Sequence, residues 1–165
     1  MNLLRLAPLA LFFMAGAAGA NAPLAIPVAD HVVVDKTNRT ITLYADGEPV
    51  HTIAGIALGR APTGHKRFQG DSRTPEGRYT ITYGNPQSAY YLSLHISYPN
   101  AADTAYARAH GRSAGGDIFI HGQPNGRTGD PIRGDWTEGC IAVSNAEMDL
   151  LWQSVPDGTL IDILP

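Results

Sequence analysis

The stretch that decides the fold class is residues 31–58, HVVVDKTNRTITLYADGEPVHTIAGIAL. Its first run, His31–Asp35, is rich in β-branched residues, and Thr40–Tyr44 alternates polar with apolar side chains. An Asp46-Gly47 pair follows, and apolar residues return between Val50 and Leu58. Alternation with a period of two around an Asp-Gly turn predicts consecutive antiparallel hairpins.

The rest of the chain extends this β character. Short apolar or alternating runs predict further strands at Arg78–Tyr83, Tyr91–Ile96, Asp117–His121 and Leu160–Leu164. Helix signals are fewer: an Ala-rich segment, Ala101–His110, and a better one, Ser144–Trp152. Ser144 or Asn145 can cap the second helix, and Pro156 and Gly158 end it. The sequence therefore predicts a mainly β domain, a sheet or curled sandwich with one or two short helices.

The composition limits the class of protein. The chain has 165 residues, of which 44% are hydrophobic and 16% charged, as expected for one globular domain. Its net charge of −3 provides no basic surface for a nucleic-acid partner. His110, Asp117 and His121 lack metal-ligand spacing with Cys140, so we expect no metal, and we expect no cofactor.

The N-terminus predicts export. Arg5 is followed by an apolar run, Leu6–Ala18, and by the small-x-small sequence Ala20-Asn21-Ala22, the features of a cleavable signal peptide. An uncleaved anchor is the alternative, although the run is short for a span of roughly 20 residues. We therefore predict a signal peptide at 1–22, a short leader at 23–31 and a single folded domain at 32–165. The domain would work in the periplasm or cell envelope without stable membrane insertion.

Export makes the cysteine count informative. Exported domains usually pair their cysteines, yet this chain has one, Cys140. A lone thiol is exposed to oxidation, so it is buried and inert, bridged to another molecule, or retained for its reactivity.

The surroundings of Cys140 favour reactivity. The residue stands shortly before the predicted helix cap, where partial positive charge favours the nucleophilic thiolate. Gly139 allows close approach of a substrate, and the N–H groups of Gly139 and Cys140 are candidates for an oxyanion hole. His121, at the end of a predicted strand, is the candidate base. No side chain stands out as the third group that would orient His121, and a structural role for either residue stays open.

The segment around His121 and Cys140, together with two upstream motifs, resembles a known family, the L,D-transpeptidase catalytic domain (YkuD-like). The resemblance covers about Val32–Pro165. It rests on an apolar strand that ends in His-Gly, a later Thr-x-Gly-Cys-Ile block with an Asn after it, and two upstream motifs. These are His121-Gly122, Thr137–Ile141, Asn145, the segment Gly55–Gly59 before Gly64-His65-Lys66, and Arg73–Tyr79.

The resemblance implies a β-sandwich-like domain that acts on peptidoglycan stem peptides. Cys140 would form a thioester with the acyl donor, His121 would accept and return the proton, and the Gly122 carbonyl would orient His121. An amine of a second stem peptide or of a wall-anchored protein would accept the acyl group, and a carbapenem-type β-lactam would inhibit. The substrate pocket would include Thr137, Gly139 and Asn145. Trp136 is a further pocket candidate that could stack on a sugar or cover the thiol, and ordinary packing is its alternative role.

Two departures leave the specificity open. Many family members have His or Gly at the position of Glu138 and Arg at the position of Ala142. Transfer to water, which would make the protein an L,D-carboxypeptidase or endopeptidase, is one alternative. A non-catalytic wall-binding domain is another, and it belongs to a different class.

Overall fold

The computed structural model describes residues 26–165, so the predicted signal peptide lies outside the described residues. Eight strands and two helices make up the fold. The strands are β1 (His31–Asp35), β2 (Thr40–Ala45), β3 (Glu48–Ala54), β4 (Gly77–Asn85), β5 (Ser93–Ile96), β6 (Ile118–His121), β7 (Ile141–Ala142) and β8 (Leu160–Leu164), and the helices are α1 (Ala101–Ala109) and α2 (Asn145–Ser154). The prediction of a mainly β domain with short helices is confirmed.

The strands form one curled sheet in the order β3-β2-β1-β8-β4-β5-β6-β7. The three N-terminal strands form the predicted antiparallel hairpins, and the C-terminal strand β8 lies parallel to β1 and antiparallel to β4. On the other side of β4, β5 pairs antiparallel with β6, and β6 pairs parallel with β7. This order places the ends of β6 and β7 side by side.

The segment after β3 connects the two ends of the sheet. The predicted strand up to Leu58 is too long, because β3 ends at Ala54 and Gly55 adopts a positive φ of 76° that redirects the chain. Ala57 then exchanges two backbone hydrogen bonds with Ala142 of β7, at 2.9 and 2.8 Å. The N–H of Thr137 donates to the carbonyl of Leu58 at 3.1 Å. The block around Cys140 is thereby fixed to the first part of the chain.

Both helices begin where the sequence predicts. Asn100 caps α1 and Ser144 caps α2, each in a capping box with an acidic residue three positions later. The buried face of α2 includes Met148 and Leu151, which belong to the hydrophobic core. Within residues 26–165, neither helix is long and apolar enough to cross a membrane.

The domain begins slightly before the predicted boundary. Ala29 is buried, and its N–H donates to the Ser154 carbonyl at 2.7 Å. His31, placed by the sequence in the leader, is the first residue of β1. The last residues of the predicted leader are therefore part of the folded domain.

Candidate active site

A cavity with a volume of about 480 Å³ lies beside Cys140. We call it the large cavity. It brings together His121, Trp136, Thr137 and Cys140 from the predicted site, whereas Gly122, Gly139 and Asn145 lie outside its lining. The other lining residues are Arg60, Asn85, Ser88, Ala89, Tyr90, Ser93, Asp117, Phe119 and Glu138.

Cys140 does not lie at a helix N-terminus. Strand β7 separates it from α2, whose cap is Ser144, and the influence of a helix dipole fades within the first turn. The expectation that the helix favours a Cys140 thiolate is therefore wrong. The sulfur atom of Cys140 lies 3.6 Å from the carbonyl oxygen of Asp117, the residue just before the neighbouring strand β6.

Thr137 holds the turn that presents Cys140. Its hydroxyl donates to the Cys140 carbonyl at 2.7 Å and accepts the Gly139 N–H at 3.1 Å. Thr137 is only 5% exposed, so water does not compete for these bonds. Because the Gly139 N–H is already bonded, the Cys140 N–H is the better oxyanion-hole candidate of the predicted pair.

Gly139 is required by the backbone around it. Its φ is +134°, and a Cβ atom there would lie 2.6 Å from the Arg73 carbonyl oxygen. Such a contact is far inside van der Waals distance. Gly139 therefore lets the Arg73 segment approach the nucleophile turn, and this role differs from direct contact with a substrate.

His121 is held in a single orientation at the end of β6. It is 5% exposed, and its Nδ1 lies 2.7 Å from the carbonyl oxygen of Gly122. A carbonyl can only accept, so Nδ1 carries the proton and Nε2 keeps its lone pair. The rings of Tyr90 and Trp136 contact the imidazole, with centroid distances of 4.6 and 5.6 Å. This geometry fits the role predicted for Gly122.

Asn145 supports the chain that follows His121. Its Oδ1 accepts the N–H of Gln123 at 2.8 Å. A Cβ atom on Gly122 would lie 2.6 Å from the same oxygen and 2.9 Å from the Cβ of Tyr91. The first residue of α2 thus packs against Gly122 and fixes the carbonyl that holds His121, so Asn145 is a supporting residue.

Burial decides the charge state of both candidate catalytic residues. It lowers the pKa of His121, an effect that the hydrogen bond to the Gly122 carbonyl opposes. It also raises the pKa of the Cys140 thiol, and nearby Asp117 adds to the increase, whereas the Phe119 N–H and Lys66 oppose it. At neutral pH the resting pair is therefore a neutral thiol and a neutral imidazole. The lone pair on Nε2 makes His121 competent as a general base.

A match to a family model now adds to this geometry. The model described as the YkuD, L,D-transpeptidase catalytic domain, matches residues 29–163, which is most of the chain. This chain belongs to the L,D-transpeptidase catalytic-domain family.

Three individual proteins are similar to this chain. A protein named "Putative L,D-transpeptidase YafK" from Escherichia coli K12 is 32% identical over 130 residues, 76% of this chain and 46% of that protein. The structure of the helical cell shape determining protein Pgp2 (K307A mutant) from Campylobacter jejuni is 29% identical with a TM-score of 0.64, covering 84% of this chain and 50% of Pgp2. Bd1075 from Bdellovibrio bacteriovorus shares the fold at 20% identity and a TM-score of 0.57, covering 85% of this chain and 51% of Bd1075. The chain thus spans about half the length of these relatives.

Several residues of this L,D-transpeptidase domain were missed from the sequence. Tyr90 contacts the His121 ring, and its position follows from the pairing of Ser93 with His121 between β5 and β6. Arg60 lines the large cavity and forms an ion pair with Glu138, which also accepts the Ser72 hydroxyl at 2.6 Å. Glu138, which departs from the family pattern, is therefore paired with Arg60 and Ser72, and the sequence alone does not indicate either contact.

Proposed function

We propose that this protein is a peptidoglycan L,D-transpeptidase that transfers a stem-peptide acyl group through a thioester on Cys140. The observation that supports the proposal most is that one cavity of this family member is lined by both candidate catalytic residues. Cys140 and His121 both line the cavity, and Nδ1 of His121 is held at 2.7 Å by the Gly122 carbonyl.

The proposed reaction has two balanced steps. His121 Nε2 accepts the Cys140 proton as the sulfur forms a bond to the amide carbon next to a D-amino acid. The carbon–nitrogen bond then breaks, and the proton passes from His121 to the leaving amine. In the second step an acceptor amine attacks the thioester carbon, the sulfur leaves, and the amine proton returns through His121 to the sulfur. The Cys140 N–H would stabilise the oxyanion.

The setting of the reaction is part of the same proposal. The signal-like N-terminus supports action in the periplasm or cell envelope, where the chain would cross-link stem peptides or anchor a protein. The name of Pgp2, a helical cell shape determining protein, supports a role in wall organisation. We expect a carbapenem-type β-lactam to acylate Cys140, because its strained amide resembles the donor amide.

Product analysis tests the proposal. The purified protein is incubated with a stem tetrapeptide and an amine acceptor, and the products are followed by mass spectrometry. Cross-linked product from the wild type and none from Cys140→Ala is the expected result. Hydrolysed product alone would replace the transpeptidase with a carboxypeptidase or endopeptidase. An unchanged muropeptide pattern in cells carrying Cys140→Ala would instead favour a non-catalytic wall-binding domain.

A further inference from the structure

Cys140 lies between two cavities. The second, which we call the small cavity, has a volume of about 190 Å³ and shares Asp117, Glu138 and Cys140 with the large one. Its remaining lining residues are Lys66, Gln69, Gly70, Gly115, Gly116 and Ile118. A ligand bonded to the sulfur can thus extend in two directions.

The two cavities differ in size and chemistry. The large one is lined by aromatic side chains and His121, and its volume fits several residues of a peptide. The small one fits about one small residue and contains a buried cation, Lys66, whereas the cation of the large one, Arg60, is exposed and paired with Glu138. An acyl donor that is a peptide therefore suits the large cavity, and a single amino acid on the amine side of the scissile bond suits the small one.

Lys66 is an unusual cation for a surface cavity. It is 3% exposed, and within the described part of the chain its one hydrogen-bond partner is Asp71, at 2.9 Å. Asp71 also accepts the N–H groups of Arg67, Phe68 and Arg73, at 2.7, 3.0 and 3.1 Å, so it cannot move to follow Lys66. An ammonium group has three donors, and the single bond to Asp71 leaves two of them for a ligand.

The Lys66 charge also shares the small cavity with the reacting sulfur atom. It lowers the pKa of the Cys140 thiol, against the larger effect of burial. A ligand group that pairs with Lys66 would therefore share the small cavity with the carbon bound to sulfur. Among the groups of a wall peptide, a carboxylate is the one that pairs with a buried ammonium.

We propose that the small cavity is the amine-side subsite, in which Lys66 pairs with the α-carboxylate of the amino acid whose nitrogen leaves or attacks. The inference rests on the proposed function and adds a specificity to it. The nitrogen lies over Cys140 at the boundary of the cavities, and its α-carbon and carboxylate extend toward Lys66. Leaving and accepting amines use one subsite, so α-amino acids are good acceptors and amines without an adjacent carboxylate are poor ones.

Binding to the inactive Cys140→Ala protein tests this subsite without turnover. The probes are a stem tetrapeptide that ends in D-alanine and the same peptide with a C-terminal carboxamide, measured by isothermal titration calorimetry. We expect the free acid to bind roughly 10- to 100-fold more tightly, the range typical of hydrogen bonds to a charged group. Equal affinity for the two peptides would overturn the proposal.

Substitution of Lys66 tests whether the preference for the free acid depends on this residue. Adding Lys66→Met to Cys140→Ala should reduce the acid-to-amide ratio to near one, whereas Lys66→Arg should retain a preference for the acid. Arg78→Gln, which removes an exposed cation on β4 that pairs with Asp162, is the matched control and should leave the ratio unchanged. A ratio that survives Lys66→Met in a folded protein, as judged by thermal melting, would refute the assignment.

The controls separate this inference from the proposed function. If Lys66→Met does not fold, the comparison of the two peptides on the Lys66-containing protein still decides whether the carboxylate is recognised. Turnover by the wild type tests the transpeptidase itself. Active wild type with equal binding of acid and amide refutes the subsite alone, whereas inactive wild type with a clear acid preference refutes the activity alone.

Discussion

Replacing Thr137 by Val should destabilise the nucleophile turn more than the change in size suggests. The two side chains have nearly the same shape, but Val cannot make the bonds to the Cys140 carbonyl and the Gly139 N–H. The N–H of Gly139 is buried, so leaving it without a partner costs about 1–3 kcal/mol. The carbonyl of Cys140 is only partly buried, and losing its bond adds about 0.5–1.5 kcal/mol. We therefore expect a loss of about 2–4 kcal/mol in unfolding free energy.

Urea unfolding monitored by circular dichroism measures this loss, and Thr137→Ser is the matched control because it keeps the hydroxyl. Thr137→Ser should lose much less stability, since only a methyl group is removed. Acylation of Cys140 by a carbapenem, followed by intact mass, should slow in Thr137→Val and stay near the wild-type rate in Thr137→Ser. Equal stability and equal acylation in the two variants would refute the assigned role of the hydroxyl.

Three further predictions concern the same domain. Because burial raises the pKa of Cys140, its alkylation by iodoacetamide should have a midpoint above the ordinary value of about 8.5, and a midpoint near pH 7 would contradict a neutral resting pair. Gly122→Ala should lower the melting temperature and the carbapenem acylation rate, because its Cβ would lie 2.6 Å from Asn145 Oδ1. Lys36, 2% exposed, donates to two carbonyl oxygens and to Glu76, so Lys36→Met should cost about 3–5 kcal/mol in urea unfolding, and a loss below 1 kcal/mol would contradict this.

The fold was predictable where local patterns decide it. The alternation in His31–Ala54 gives the hairpins, and the Ser144 capping box marks the start of α2. Long-range pairing was not predictable in this way. The parallel contact of β1 with β8 joins residues about 130 positions apart, and no local signal in either strand specifies its partner.

Two residues of the candidate site could be singled out from the sequence. Cys140 and His121 stand out by type and position, and both line the large cavity. Tyr90 does not stand out, because only the pairing of β5 with β6 brings it to His121. Lys66 belongs to the Gly64-His65-Lys66 motif, but its place in the small cavity with Cys140 depends on the folded chain. The pKa of Cys140 was not predicted correctly from the sequence, which placed the residue next to a helix. In the structure β7 lies between Cys140 and α2, and desolvation raises the pKa of the thiol.

Partial burial of Cys140 would protect a lone thiol in the exported setting proposed above. Oxidation proceeds through the thiolate, so a raised pKa keeps the resting sulfur in its unreactive protonated form. The same burial lowers the pKa of His121, which leaves Nε2 free to remove the proton when a substrate occupies the site. Activation then depends on a substrate carbon beside the sulfur, because the neutral pair gains by proton transfer only as the new bond forms. A protected resting thiol is therefore consistent with the nucleophile proposed above, given the partial burial of Cys140 and the burial of His121.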